Sequence, residues 1–208
     1  MLPEINIQCE NISKRFGQQG LFKGIALHVG RGEPLAITGA NGSGKSTLIQ
    51  IIAGIQRPTT GSVSFMSGGE TIRPEAFSRY FSFTGPQVNP YDMLTAVENL
   101  MFTVKGDHAT ERIDHMLETF DLYRHRHKQV KYYSTGMKQR LKLVHALINE
   151  TPALLFDEPG SNLDLSGKER MMLTLEELKA ERTIIIASNE PDEINFCNER
   201  LNLGKQNN

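Results

Sequence analysis

The feature that most restricts this chain is a short apolar run that ends on a glycine-rich turn. Pro34–Leu35–Ala36–Ile37–Thr38 passes directly into Gly39–Ala40–Asn41–Gly42–Ser43–Gly44–Lys45–Ser46, which matches G-x-x-x-x-G-K-[ST]. Beyond it, Leu48, Ile49, Ile51, Ile52 and Ala53 mark a helix that starts at Lys45 and stops at Gly54. A buried strand, a glycine turn and a helix, in that order, form a phosphate cradle. Glycines let the backbone wrap an anion and aim several N–H groups at its oxygens, and the helix adds its positive N-terminal end. Lys45 supplies a point charge for β- and γ-phosphates, and the Ser46 hydroxyl suits Mg2+. The expected phosphate contacts run through Gly39, Ala40, Asn41, Gly42, Ser43, Gly44, Lys45, Ser46 and Thr47.

The rest of the chain supplies a sheet to carry that turn. Ile5 to Ile12 alternates apolar and polar residues, as a half-buried strand does, and so does Gly24 to Val29. Gly30–Arg31–Gly32–Glu33 reads as a turn, and Gly61–Ser62–Val63–Ser64–Phe65 as an edge strand. From Thr95 to Glu150 the pattern is helical, with Ile113, Met116, Leu117 and Phe120 on one inward face. Strand signals return in Ala153–Leu154–Leu155–Phe156, a helix follows over Ser166–Ala180, and then comes the apolar run Thr183–Ala187. Strands alternating with helices predict an α/β fold with a mostly parallel sheet, interrupted by a helical insertion at about residues 88–150. One domain over residues 1–208 accommodates all of this, with Lys205–Asn208 as a frayed tail.

Composition narrows the partners. A formal net charge of −1 and the lack of a basic stripe argue against nucleic acid. Cys9 and Cys197 have no ligand-like spacing, so both read as small buried thiols in a reducing compartment. Met1–Leu2–Pro3–Glu4 lacks the basic start of a signal peptide. Apolar runs such as Thr183–Ala187 fall far short of the ~20 residues of a membrane span, so any membrane crossing is expected from another chain.

A second element completes a reaction centre. Leu154–Leu155–Phe156–Asp157–Glu158 ends a buried strand on two carboxylates. In a parallel sheet that edge also carries the phosphate turn, so both meet at one nucleotide. Asp157 is placed to orient Mg2+ and Glu158 to poise the attacking water, which defines a nucleoside triphosphatase.

The remaining motifs narrow the class. Tyr133–Ser134–Thr135–Gly136–Met137–Lys138–Gln139–Arg140 resembles the signature of the ABC family of ATPases, in the variant common among exporters. Glu158–Pro159–Gly160–Ser161–Asn162–Leu163–Asp164 resembles the family's catalytic glutamate and D-loop, and Gln87 in Gly85–Pro86–Gln87 its Q-loop glutamine. Phe16 takes the place of the aromatic that stacks on adenine. The resemblance implies a P-loop NTPase core with an N-terminal antiparallel β subdomain, and ATP and Mg2+ as cofactors. It implies Glu158, Gln87 and Asn189 in catalysis, Ser46, Gln87 and Asp157 at the metal, and Phe16, Ser134 and Gly136 on nucleotide. It further implies a head-to-tail homodimer in which Ser134 and Gly136 face the Lys45 of the opposite copy. A separate membrane subunit would hold the chain on the cytoplasmic face, with Tyr91 and Leu94 as candidate contacts. Arg124–His125–Arg126–His127–Lys128 is expected to be a solvated face just before the signature.

One position departs from the family. Asn189 stands where a histidine usually contacts the γ-phosphate; an amide can donate one hydrogen bond but is shorter and cannot become cationic. The expectation is a reduced but real ATPase, with a subunit that binds ATP and barely turns over as the alternative. The compact length and Leu94–Thr95–Ala96–Val97–Glu98–Asn99–Leu100 are similar to the haem-exporter ATPases of cytochrome c maturation. Little sequence follows Asn189, leaving no room for the C-terminal regulatory domain of many importer ATPases, so export is the expected direction.

Overall fold

The computed structural model describes residues 2–104 and 106–205. In chain order it contains β1 (Asn6–Phe16), β2 (Gln19–Val29), β3 (Leu35–Thr38), α1 (Lys45–Ile52), β4 (Thr60–Ser67), β5 (Glu70–Ile72) and β6 (Phe81–Thr84). There follow α2 (Ala96–Met101), α3 (Ala109–Thr119), α4 (Thr135–Leu147), β7 (Ala153–Asp157), α5 (Leu165–Lys179), β8 (Thr183–Ala187), α6 (Pro191–Phe196) and β9 (Glu199–Asn202). An antiparallel sheet has the order β2-β1-β4-β5, and a second sheet, parallel throughout, the order β6-β7-β8-β3-β9. This is the α/β architecture with an N-terminal antiparallel layer that the sequence predicts.

The alternation of side chains along β7 and β8 shows why the sheet is central. Leu154, Phe156, Ile184 and Ile186 enter one core with Ile113 and Leu117 of α3, Phe120 just after it, and Val144 of α4. Their neighbours Ala153, Leu155, Ile185 and Ala187 enter a different core with Leu48 and Ile52 of α1 and Ile7 and Phe65 of the antiparallel sheet. A strand buried on both faces has no polar side to alternate, hence the continuous apolar runs. Each fully buried aliphatic side chain contributes about 1.5–3 kcal/mol relative to exposure.

The inserted segment is helical as expected; among the described residues its extended pairing is limited to the bridge Thr95–Gln129. Ile113, Leu117 and Phe120 are buried and Met116 partly so, which confirms the inward face of α3. A reciprocal cap starts α2: the Thr95 hydroxyl accepts from Glu98 N at 3.2 Å, and Glu98 Oε2 accepts from Thr95 N at 2.8 Å. One turn on, the buried Asn99 amide accepts from Tyr91 N at 2.7 Å and donates to Tyr91 O at 3.1 Å, pinning that loop to the helix.

Three details differ from the sequence reading. β4 is interior, not an edge strand, because Gly68 and Gly69 at φ 58 and 83 reverse the chain so that β5 pairs along its outer side. β6 and β9 are further strands, each of four residues, too short and too polar to stand out. Lys205 closes a short turn, Leu203–Lys205, and the rest of the tail lies outside the described residues.

Cys9 is buried, Cys197 half-buried, both are free, and burial pushes both thiols up to about 12. Residues 124–128 are exposed apart from Arg126, whose guanidinium stacks 3.7 Å from the Tyr123 ring centroid. Among the described residues no helix is long and apolar enough to cross a membrane, and no cluster of three or more His, Cys, Asp and Glu could hold a metal ion.

Candidate nucleotide site

Three neighbouring parallel strands deliver the site at their C-terminal ends. β3 runs into Gly39, β7 ends on Asp157 and Glu158, and β8 leads to Ser188 and Asn189. Cross-strand bonds continue past the strand ends: Ser188 N donates to Ile37 O at 3.0 Å and Glu158 N to Ala187 O at 2.9 Å. The shared register fixes where the following side chains emerge.

The turn needs its glycines at two positions in particular. Gly44 caps α1 at φ 100, and a Cβ there would lie 2.8 Å from Leu21 Cγ and 2.9 Å from Phe22 Cδ1. Gly39, at φ 147, would bring a Cβ to 2.6 Å from Ser43 Oγ. Only glycine allows that conformation and that closeness together. Lys45 is 6% exposed and its ammonium folds back over the turn, donating to Gly39 O at 2.8 Å and Ala40 O at 3.4 Å.

Ser46 and Asp157 meet from different elements: the Ser46 hydroxyl donates to Asp157 Oδ1 at 3.0 Å. Burial, seconded by the Glu158 charge, raises the Asp157 carboxyl above its ordinary range, while Ser46 and Lys45 pull it down. A hydroxyl and a nearly buried carboxylate side by side, under a phosphate cradle, are a hard-oxygen donor set that fits Mg2+. Gly85, at the end of β6, packs against this carboxylate, a Cβ there lying 3.0 Å from Asp157 Cβ.

Two recesses surround these groups. One, of about 320 Å³, is lined by Phe16, Leu21, Asn41, Gly42, Gly44, Lys45, Ser46, Thr47 and Glu158. Phe16 is 53% exposed and offers its ring as a wall. The other, of about 190 Å³, is lined by Asn41, Glu158, Ser161, Ser188, Asn189, Glu190 and Glu193. Asn189 Oδ1 accepts from Gly39 N at 3.3 Å, so the departing residue does sit against the cradle. Glu158, shared by both recesses, has φ 51, a left-handed backbone uncommon for a residue with a Cβ.

The structure therefore gathers Phe16, the Gly39–Thr47 turn, Asp157, Glu158 and Asn189. It does not bring every expected residue in. Gln87 is exposed and lines neither recess. Ser134 caps α4, its hydroxyl accepting from Met137 N at 3.2 Å, and Gly136 packs near Asn162; neither lines the recesses of its own chain. Sequence reasoning missed Leu21, Ser161, Ser188 and Glu193. Leu21 lies on β2, a strand whose pairing is needed before its position over the turn is known.

This fold with this cradle defines an ATP-binding cassette, and comparisons with known proteins agree. Residues 22–161 match the family model described as ABC transporter, so the chain belongs to the ABC transporter ATP-binding family. It is 33% identical over 190 residues to the cytochrome c biogenesis ATP-binding export protein CcmA of Brucella abortus (strain 2308), covering 90% of this chain and 86% of that one. It is 29% identical over 206 residues to the linearmycin resistance ATP-binding protein LnrL of Bacillus subtilis (strain 168), covering 95% of this chain but 65% of the relative's length. Among solved structures it is similar to a dimeric post-hydrolysis state of an ATP-binding cassette bound to ADP and Pi. That match has a TM-score of 0.82 and 25% identity, and covers 94% of this chain and 93% of the other.

Proposed function

We propose that this chain hydrolyses Mg–ATP at the interface of a head-to-tail homodimer and thereby drives export through a separate membrane subunit, from the cytoplasmic face. The observation that carries the reading is the Ser46–Asp157 contact beside Lys45 and Glu158, which brings a pair suited to a metal, a cation suited to phosphate and a candidate general base together beyond the C-terminal ends of β3 and β7. Lys45 turns from the Gly39 and Ala40 carbonyls to the phosphates, and Phe16 stacks on the base. Ser46 and Asp157, with Gln87 as a further ligand, would hold Mg2+, which would neutralise phosphate charge. The Glu158 carboxylate accepts a proton from the attacking water, and Asn189 donates its amide N–H to the γ-phosphate. Ser134 and Gly136 act across the dimer, on the nucleotide held by the other copy. The Brucella relative, named as an ATP-binding export protein, supports the direction of transport.

The membrane subunit has a place to sit. Val88, Pro90, Tyr91, Phe102, Leu141, Lys142 and His145 help to line an apolar groove of about 320 Å³ on the helical insertion, with Tyr91 68% and Phe102 69% exposed. Tyr91→Asp is expected to move the chain from the membrane to the soluble fraction of its native cells while Mg–ATP binding stays intact. Wild-type-like sedimentation with membranes would remove this groove from the proposal.

Asn189 favours a slow variant of the same reaction, since its amide oxygen is engaged by Gly39 N and it carries no charge. Asn189→Ala should cut turnover about five- to tenfold, roughly 1 kcal/mol of lost hydrogen bonding. Asn189→His, which reaches further and can become cationic, should raise it by a few-fold to about tenfold. Steady-state phosphate release by the three proteins decides it. Equal rates for Asn189→Ala and the parent would leave Asn189 without a catalytic part.

A further inference from the structure

Two buried side chains to which no part in the chemistry has been given converge on one peptide group. The Pro159 carbonyl accepts from Gln139 Nε2 at 2.7 Å, and Gly160 N donates to Glu193 Oε1 at 3.0 Å. The carbonyl and the N–H belong to the same planar peptide, one residue past Glu158. Gln139 is 7% exposed and Glu193 2%. A Cβ at position 160 would lie 2.3 Å from Glu193 Oε1, so the glycine is what admits the carboxylate.

The two side chains come from different parts of the fold. Gln139 lies on α4, the helix capped by Ser134, and Glu193 on α6, which begins two residues after Asn189. Burial raises the Glu193 carboxyl above the ordinary range despite its hydrogen bonds. An apolar side chain would pack there without that penalty, so packing alone does not account for it.

What the peptide secures is the strained residue before it. A non-glycine residue at φ 51 persists only where its surroundings over-determine it. Upstream, Glu158 N is tied to Ala187 O at 2.9 Å. Downstream, Pro159 fixes its own φ and has no N–H to offer, so the next group able to anchor the chain on both sides is the Pro159–Gly160 peptide.

We propose that Gln139 and Glu193 are positioning residues: together they clamp the Pro159–Gly160 peptide, and through it hold the Glu158 carboxylate at the attacking water. The proposal rests on the reading of Glu158 as general base. The test measures steady-state kcat and the Kd for Mg–ATP on the full chain carrying Glu193→Ala, Glu193→Gln, Gln139→Met, the Gln139→Met/Glu193→Ala pair, and Glu158→Gln as reference. Glu193→Ala and Gln139→Met should each lower kcat about tenfold while Kd stays within about twofold. Glu193→Gln keeps an oxygen that can accept from Gly160 N and should recover most of the loss. The double variant should lose less than the product of the singles, because both act on one peptide. Full kcat in Glu193→Ala and Gln139→Met, a Glu193→Gln as slow as Glu193→Ala, or a fall in kcat matched by weaker binding would overturn the clamp. If Glu193→Ala does not fold, Glu193→Gln and Gln139→Met decide alone, and full kcat in Gln139→Met overturns it. Turnover surviving in Glu158→Gln would sink the general-base reading itself. A dead Glu158→Gln beside undiminished Gln139→Met and Glu193→Ala variants would sink only the clamp.

Discussion

Glu158→Gln is expected to slow steady-state ATP hydrolysis by about 10²–10⁴-fold, the range for losing a positioned general base. The amide has the size and shape of the carboxylate, and the backbone bonds that fix position 158 belong to its N–H and carbonyl, which donate to Ala187 O and accept from Ser161 N. The recess therefore keeps its form, while the atom that would take the water's proton becomes a weak acceptor. Nucleotide affinity should be preserved, because Lys45, Ser46 and the glycine turn lie on different elements from Glu158. With binding intact and turnover stopped, ATP stays in place, and the head-to-tail pair should accumulate. Phosphate release measures the first effect, and light scattering in Mg–ATP the second. Turnover within a few-fold of the parent would remove Glu158 from the mechanism; a strictly monomeric variant would argue against a nucleotide-bridged homodimer.

Lys45→Ala should weaken Mg–ATP binding by about 10- to 100-fold. A charge-assisted hydrogen bond is worth about 1.5–3 kcal/mol, and each 1.4 kcal/mol is a factor of ten in affinity. Geometry makes the upper part of that range the expectation. The ammonium is almost fully buried, bonded to Gly39 O and Ala40 O of the turn that it must serve. Removing it deletes the phosphate cation from a site that is otherwise sheltered from water. A fluorescent-nucleotide titration reads the change, and Lys45→Ala binding as tightly as the parent would overturn the assigned site.

The parts of the fold that were legible in the sequence are those where one physical demand dominates locally. Residues 35–37, 153–156 and 184–187 had to be apolar because helices or a second sheet cover both faces. The glycine turn was legible because its backbone conformation admits few residues. What stayed hidden depends on pairing. Phe81–Thr84 and Glu199–Asn202 become strands because β7 and β3 offer them partners, and the place of β4 inside its sheet rests on a reversal at Gly68. At the site, Asp157, Glu158 and Asn189 were predictable because each follows an apolar strand. Gln139 and Glu193 were not: both sit in helices with no pattern that marks the one inward polar side chain. Gln87, conversely, fits a motif, yet its own chain leaves it exposed.

The division of β7 and β8 between two cores bears on how the molecule breathes. Their backbone amides lie at the junction of both cores, so exposing them to exchange requires disrupting packing on two sides at once; such segments open close to the free energy of global unfolding. The helical insertion belongs to one core alone, and its groove is rimmed by exposed rings at Tyr91 and Phe102. Local opening there can proceed while α1 and the antiparallel sheet stay packed on the other face. Asp157, Glu158 and Asn189 thus stand at the tips of strands locked into both cores, and the surface assigned to a membrane partner lies on the part packed into one.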